Sequence, residues 1–131
     1  GGCFPKSIAA KLIEAGAAKV VSDQVGTPTW ARDLAEVAYQ HGVNNFTERI
    51  VHAVASGQGS WFDFAREIAA ALPAGNEYFL SPVSSVEFST AALRPAFSAL
   101  DNSETKGPII GDWRERWKVA AVEVLAEFLA K

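Results

Sequence analysis

The segment from Val20 to Ala35 constrains the fold of this chain most, because it predicts a strand, a turn and a helix in immediate succession. Two β-branched valines suit a strand, and the polar turn that follows contains Gly26 and Pro28. Proline favours extended backbone at the residue before it, and the hydroxyl of Thr29 is expected to cap the helix that begins at Trp30. This order of elements indicates an α/β chain.

Helical and strand patterns alternate along the rest of the chain as well. The helical stretches carry apolar residues every three or four positions, and the strands are short and rich in β-branched or aromatic residues. Helices are predicted at Phe4–Ala15, Trp30–His41, Trp61–Leu72 and from Trp113 onwards, strands at Lys19–Ser22, Arg49–Ala55 and Glu77–Ser81, and a helical turn at Ser85–Ala91. The sequence therefore predicts a helix-rich α/β chain with a few short strands.

Several polar and conformationally special residues are expected to set the ends of these elements. Ser60 and Asp63 stand three residues apart before an apolar run, which is the spacing of a capping box. Asp112 repeats this pattern before the last helix. Gly42 is placed to end the second helix, and Pro82 is expected to end the strand before it.

The composition is ordinary for a soluble globular domain and excludes several classes of partner. Of the 131 residues, 49% are apolar and 21% are charged, which suits one domain with a moderate core. The net charge is −3 with no basic block, which argues against binding to nucleic acid or to an anionic membrane. Cys3 is the only cysteine, so no internal disulfide is expected, and a cytoplasmic location is favoured.

The first residues bear on whether the chain is complete. The sequence contains no Met and begins Gly1-Gly2-Cys3-Phe4, whereas a complete translated chain begins with Met. We therefore expect residues 1–131 to be a single domain or a fragment of a longer protein.

The residues from Val21 to Ala35 also form a recognisable pattern, V-x-D-Q-x-G-x-P-T-x-x-x-D-L-A. This pattern resembles the signature found late in dTDP-4-dehydrorhamnose reductases, which belong to the extended short-chain dehydrogenase/reductase group. Shorter stretches resemble the same family at Gly1–Phe4, His52–Ala65, Arg94–Leu100 and Asp112–Trp117. Cys3 stands where the family usually has Asn. The resemblance covers nearly the whole chain, but only the later part of such an enzyme.

The resemblance implies a function for the full-length protein. It implies that this chain is the C-terminal, substrate-side part of a reductase and lacks the N-terminal Rossmann half. Such an enzyme uses NADPH or NADH to reduce dTDP-4-dehydro-L-rhamnose to dTDP-L-rhamnose, which supplies rhamnose to cell-envelope polysaccharide. The resemblance also implies that the missing half binds most of the cofactor, and it implies Mg²⁺ in the family.

The resemblance places substrate-binding residues in the signature turn and in the later Arg-Pro stretch. Asp23, Gln24, Thr27 and Thr29 are expected to line or support the cleft. Arg94 is expected to bind the diphosphate of a dTDP-sugar, because a guanidinium makes bidentate bonds to phosphate. Since Arg pairs equally well with carboxylates, a salt bridge that fixes the loop is the alternative for Arg94.

The sequence lacks the catalytic pair of short-chain reductases, a Tyr with a Lys four residues later. In that pair the Lys lowers the pKa of the Tyr, which passes a proton to the carbonyl oxygen. Tyr39 is followed four residues later by Val43, and Tyr78 by Pro82. We therefore predict no catalytic residue in this chain and expect it to be inactive alone.

Two other patterns are not expected to form a cofactor or metal site. Gly57-x-Gly59 follows a predicted strand, but the third glycine of a dinucleotide fingerprint is replaced by Phe62. His41 and His52 have no Cys or acidic neighbours at metal-ligand spacing. Structural roles are favoured for all of them.

Two other functions stay open on the sequence alone. The chain could belong to a related nucleotide-sugar epimerase or dehydratase, although the D-Q-x-G-x-P-T pattern argues against it. It could instead be a non-catalytic, regulatory relative. We further expect a homodimer or other self-association, because the predicted strand at Ile50–Ala55 should expose a sheet edge once neighbouring strands are missing.

Overall fold

The computed structural model describes residues 2–44, 50–75, 77–88, 92–103 and 109–130, and it confirms an α/β chain with short strands. The helices are α1 (Phe4–Ala15), α2 (Ala31–Val43), α3 (Trp61–Ala71), α4 (Trp113–Val124) and α5 (Ala126–Leu129). The strands are β1 (Ala17–Val21), β2 (Val25–Gly26), β3 (Ala55–Ser56), β4 (Gly59–Ser60), β5 (Phe79–Val83) and β6 (Ile110–Asp112). A 3₁₀ turn covers Ser85–Glu87.

The main core lies between the parallel pair β1–β5 and the helices α1, α3 and α4. Its buried members are apolar residues that recur at helical spacing on the inner helix faces and alternate along β1, as burial on one side requires. They are Ile8, Ala9, Leu12, Ala18, Val20, Ala65, Ile68, Leu72, Trp117, Ala120, Ala121 and Leu125. This core fixes the carboxyl end of β1, from which the signature turn leaves.

A second, smaller core surrounds Trp113 at the start of α4. It contains Val37, Ala55 and Ile110 as its other buried members. Phe64 packs against both cores, and its ring meets Trp113 edge-on with 5.7 Å between the ring centroids. The aromatic contact therefore links the two cores across α3.

The strand predicted at Arg49–Ala55 is wrong for most of its described length. Only Ala55 and Ser56 are in a strand, and they pair with the three-residue strand β6. Residues 50–54 have no strand partner among the described residues, and Ile50 is 82% exposed. A β-branched run becomes a strand only where a neighbour can accept its hydrogen bonds; Arg49 lies outside the described residues. This finding also removes the sheet edge on which the expected self-association was argued.

Pro82 does not end its strand as expected but lies inside β5, opposite Val20. The prediction failed because β5 has only β1 as a strand neighbour among the described residues. Proline has no N–H to donate, and an edge strand tolerates it where no ladder hydrogen bond is needed from that position. Gly42 likewise lies inside α2, which ends at Val43 with Asn44 as its C-cap. The predicted turn at Ser85–Ala91 is confirmed at Ser85–Glu87, and residues 89–91 lie outside the described residues.

The N-caps predicted for α3 and α4 are confirmed. The Ser60 hydroxyl accepts from the Asp63 N–H at 3.0 Å, and the Asp63 carboxylate accepts from the Ser60 N–H at 2.9 Å, which completes the capping box. Asp112 accepts from the Arg114 N–H at 2.8 Å at the start of α4. No helix in the described part of the chain is long and apolar enough to cross a membrane.

Replacing Gly59 by Ala is expected to destabilise the fold. A Cβ at this position would lie 2.7 Å from Cζ2 of the buried Trp113 ring, so the ring or the backbone must move. Overpacking of this kind costs about 1–3 kcal/mol, and urea unfolding would measure the loss. Gly42→Ala is the matched control: it has open space inside α2, and we expect about 0.5–1 kcal/mol of stabilisation. An unchanged unfolding free energy for Gly59→Ala would contradict the packing described.

Candidate functional site

The signature turn is held in place by two other segments that meet at β2. Val25 and Gly26 pair antiparallel with β4. On the other side, the Val25 N–H donates to the carbonyl of Ala96, and the Val25 carbonyl accepts from the Ser98 N–H, both at 2.8 Å. The turn, the start of α3 and the segment 94–98 are therefore joined by backbone hydrogen bonds.

Two cavities open around this junction. The first cavity, about 690 Å³, lies between α1, β1, the 3₁₀ turn and the start of the segment 93–98. The second cavity, about 570 Å³, lies over the turn from Gln24 to Thr29 and reaches Ser60 and Ser98. Gln24, Trp61 and Arg94 line both cavities. These three side chains therefore mark the place where one elongated ligand could occupy both.

Gln24, Thr27 and Thr29 all line the second cavity, and their role in substrate binding stays a prediction. Thr29 does not cap α2, so that prediction is wrong. Its hydroxyl donates to the Thr27 carbonyl at 3.1 Å and accepts from the Ala55 N–H at 3.2 Å, which leaves Trp30 as an N-cap residue without a side-chain bond. The Thr27 hydroxyl is buried and has no hydrogen-bond partner among the described residues.

Asp23 lies outside both cavity linings and supports the wall of the first one. Its carboxylate accepts from the Ser84 hydroxyl at 2.7 Å and from the Ser85 N–H at 2.9 Å. Both bonds favour the ionised form, and that of Ser84 does most to lower the pKa of Asp23. Since Ser85 begins the 3₁₀ turn that lines the first cavity, Asp23 positions that turn.

Arg94 is exposed and lines both cavities. No described carboxylate forms an ion pair with it, so the described residues do not show the salt bridge considered as the alternative. Its guanidinium is therefore available to an anion in the cleft. The backbone bonds of Ala96 and Ser98 to Val25 hold the segment that carries it.

Trp61, which the sequence places only as the start of a predicted helix, also lines both cavities. It is the first residue of α3, is 39% exposed and packs its ring 4.6 Å from that of Phe4, measured between centroids. The Trp61 N–H points to the Gln24 carbonyl at 3.4 Å. The position of Trp61 directly after the N-cap residue Ser60 indicates this role in the sequence, because a side chain in the first helical turn lies next to the preceding loop.

Gly59 and His52 make close contacts within the fold. Gly59 has no room for a Cβ because the Trp113 ring fills that space, so the Gly57-x-Gly59 pattern is explained by packing. His52 Nδ1 lies 2.7 Å from the Asp101 carbonyl oxygen, to which it donates. The described residues include no group of three or more His, Cys, Asp or Glu side chains that could hold a metal ion. The Mg²⁺ that the resemblance implies stays a prediction.

The parallel strand pair, its covering helices and the cavities at the carboxyl end of β1 form one α/β region. The model of the RmlD substrate binding domain family matches residues 1–130. The chain therefore belongs to the RmlD substrate binding domain family.

Individual relatives agree with this assignment. A probable dTDP-4,6-dihydroxy-2-methyloxan-3-one 4-ketoreductase of Streptomyces antibioticus is 32% identical over 96% of this chain and 43% of its own length. The crystal structure of a dTDP-4-dehydrorhamnose reductase from Clostridium acetobutylicum is similar with a TM-score of 0.84 and 33% identity, over 96% of this chain and 45% of that one.

A dTDP-4-dehydrorhamnose reductase from Bacillus anthracis, solved in complex with NADP, has a TM-score of 0.82 at 28% identity, over 94% of this chain and 44% of that one. The chain thus spans less than half the length of these relatives.

Replacing Asp23 by Asn is expected to lower stability at neutral pH but not in acid. The folded-state pKa of Asp23 is lowered, so its charge stabilises the fold above the unfolded value near 3.8 and stops doing so as pH falls through the lower, folded value. The unfolding free energies of wild type and Asp23→Asn should therefore differ at pH 7 and converge in strong acid.

Urea titrations across pH would measure this convergence. Glu14→Gln on the exposed side of α1 is the control, because it removes a negative charge without removing the bonds to Ser84 and Ser85. A gap between wild type and Asp23→Asn that stays constant down to strong acid would contradict the stabilising role of this carboxylate.

Proposed function

We propose that this chain is the substrate-binding part of an NAD(P)H-dependent reductase that converts dTDP-4-dehydro-L-rhamnose to dTDP-L-rhamnose. The observation that carries the proposal is the meeting of two cavities at Gln24, Trp61 and Arg94 in a chain of this family. A sugar nucleotide is an elongated ligand with a base, a diphosphate and a sugar. Two adjacent cavities that share a cationic lining residue suit such a ligand. The product would serve rhamnose and cell-envelope polysaccharide biosynthesis.

The proposed roles follow from what each side chain can bond. Arg94 would hold the diphosphate at the junction, where its guanidinium is unpaired among the described residues. Gln24 would offer an amide donor and acceptor from the same place. Thr27 would face the ligand from the lining of the second cavity, although its hydroxyl is buried in the free chain. Thr29 and Asp23 would act by fixing the turn and the cavity wall.

The chemical step is divided between this chain and the part of the enzyme that lies outside it. The bound nicotinamide cofactor supplies a hydride to the carbonyl carbon. Because this sequence has no Tyr-x-x-x-Lys, we propose that the proton donor and most of the cofactor contacts lie in the other part. This chain would bind the substrate and orient its carbonyl, and it would be inactive alone.

The name of one relative supports a second candidate substrate. The relative from Streptomyces antibioticus is named for reduction of a different dTDP-linked ketosugar, and it is 32% identical over 129 residues. A dTDP-4-keto-deoxysugar other than dTDP-4-dehydrorhamnose is therefore the second candidate. A non-catalytic relative and an epimerase or dehydratase remain alternatives; a Tyr-x-x-x-Lys and a Gly-x-x-Gly-x-x-Gly in the rest of the protein would favour the reductase.

Self-association and a cytoplasmic location stay predictions. Strand β1 pairs only with β5 among the described strands, so its other edge has no strand partner in the described part of the chain. We expect sedimentation velocity of the 131-residue chain to show a dimer, because an open edge can pair with a second copy. A sharp monomer peak across protein concentrations would contradict this expectation.

Calorimetric titration of the chain with dTDP-L-rhamnose, and separately with NADPH, tests the proposed function. We expect the sugar nucleotide to bind and NADPH not to bind. Arg94→Gln should weaken dTDP-L-rhamnose binding by about tenfold, because a charge-assisted bond to the diphosphate is lost.

Arg66→Gln on the exposed side of α3 is the matched control, since it removes the same charge away from both cavities. If wild type fails to bind dTDP-L-rhamnose, the substrate subsite is not contained in this chain. Equal affinities of Arg94→Gln and Arg66→Gln would remove Arg94 from the site.

A further inference from the structure

The unpaired cations among the described residues are concentrated on one cavity. Nine Lys and Arg residues lie in the described ranges, and five of them form ion pairs with described carboxylates. Three of the four others, Lys11, Lys19 and Arg94, line the first cavity. They come from α1, β1 and the segment 93–98, so only the fold brings them to one place.

The charge at this cavity is opposite in sign to that of the chain as a whole. No described Asp or Glu is among the residues that line the first cavity, whereas the chain carries a net charge of −3. A concave site with cations alone raises the local concentration of anions and favours binding a multiply charged one. A diphosphate fits this requirement better than a single carboxylate does.

The rest of the first cavity is apolar and partly aromatic. Phe4 and Trp61 form a tilted ring pair on one side, and Val86, Phe88 and Leu93 line the cavity from the 3₁₀ turn onwards. Val86 is 88% exposed and Phe88 is 45% exposed, so these apolar surfaces face solvent in the free chain. Aromatic and aliphatic walls of this kind suit the flat ring of a base.

We propose that Lys11 and Lys19 are nucleotide-binding residues, which hold the nucleoside diphosphate end of the ligand in the first cavity. This inference rests on the proposed function and goes beyond it by fixing which end of the ligand each cavity receives. Among the described residues, Arg94 is the only charged one that lines the second cavity, which also carries the hydroxyl groups of Thr27, Thr29 and Ser60. The second cavity therefore receives the sugar end, with Arg94 at the boundary.

Titration of the full 131-residue chain with dTDP, which has no sugar, tests this assignment. We expect Lys11→Gln and Lys19→Gln each to weaken dTDP binding about threefold to tenfold, as for exposed charge-assisted contacts. Arg66→Gln is the control, because it is the described unpaired cation that lines neither cavity. Rising ionic strength should weaken dTDP binding to wild type more than to the Lys11→Gln, Lys19→Gln double variant. Both lysine side chains are exposed, so urea midpoints should stay unchanged.

The outcomes separate the lysine assignment from the proposed function. If both lysine variants bind dTDP as tightly as Arg66→Gln does, the lysines are not part of the site, and the proposed function is unaffected. If wild type binds dTDP-L-rhamnose but not dTDP, the sugar end carries the affinity, and the nucleotide end does not occupy the first cavity as proposed. If wild type binds neither ligand, both the lysine assignment and the substrate subsite of the proposed function fail.

Discussion

The backbone of Val25 is the connection on which the cleft depends. One residue pairs with Ser60 of β4 on one side and exchanges two 2.8 Å hydrogen bonds with Ala96 and Ser98 on the other. Strand β2 is only two residues long, so these bonds could not persist in an isolated peptide. They persist here because β1 and α3, which flank the junction, are anchored in the main core.

The pairing of β2 with two neighbours leaves the side chains of the turn free for other contacts. Backbone N–H groups donate hydrogen bonds to backbone carbonyls across the junction. The side-chain amide of Gln24 is therefore not needed to hold the turn. Thr29 differs, since its hydroxyl joins the turn to Ala55 of β3 and thereby to the smaller core. The cleft is thus attached to both cores, while its described lining keeps unpaired polar and cationic groups.

Local features of this fold could be predicted from the sequence because they depend on residues three or four positions apart. The capping box of Ser60 and Asp63 is such a feature, and so is the buried stripe of α4 that contains Trp113 and Trp117. The signature turn was also located correctly, because its residues follow a strand and precede a helix.

Features that depend on distant partners could not be predicted in the same way. Pro82 lies in a strand because β5 lies beside β1, which is more than sixty positions away in the chain. Thr29 has a backbone partner in β3 in place of a capping role, and nothing near Thr29 in the sequence indicates that partner. Lys11 and Lys19 looked like ordinary surface residues because they belong to different elements. The cavity they share exists only after α1 has packed beside β1.

The placement of the four tryptophans has an optical consequence. Trp113 and Trp117 are buried in the cores, whereas Trp61 lines both cavities and is partly exposed. An aqueous quencher of indole emission can reach Trp61 and the partly exposed Trp30 but hardly reaches the two buried rings. Trp30 lines neither cavity, so a molecule seated in the cleft would shield Trp61 alone and would lower the quenched fraction by the share of that one ring. The chain carries its own fluorescent reporter of cleft occupancy, with no label required.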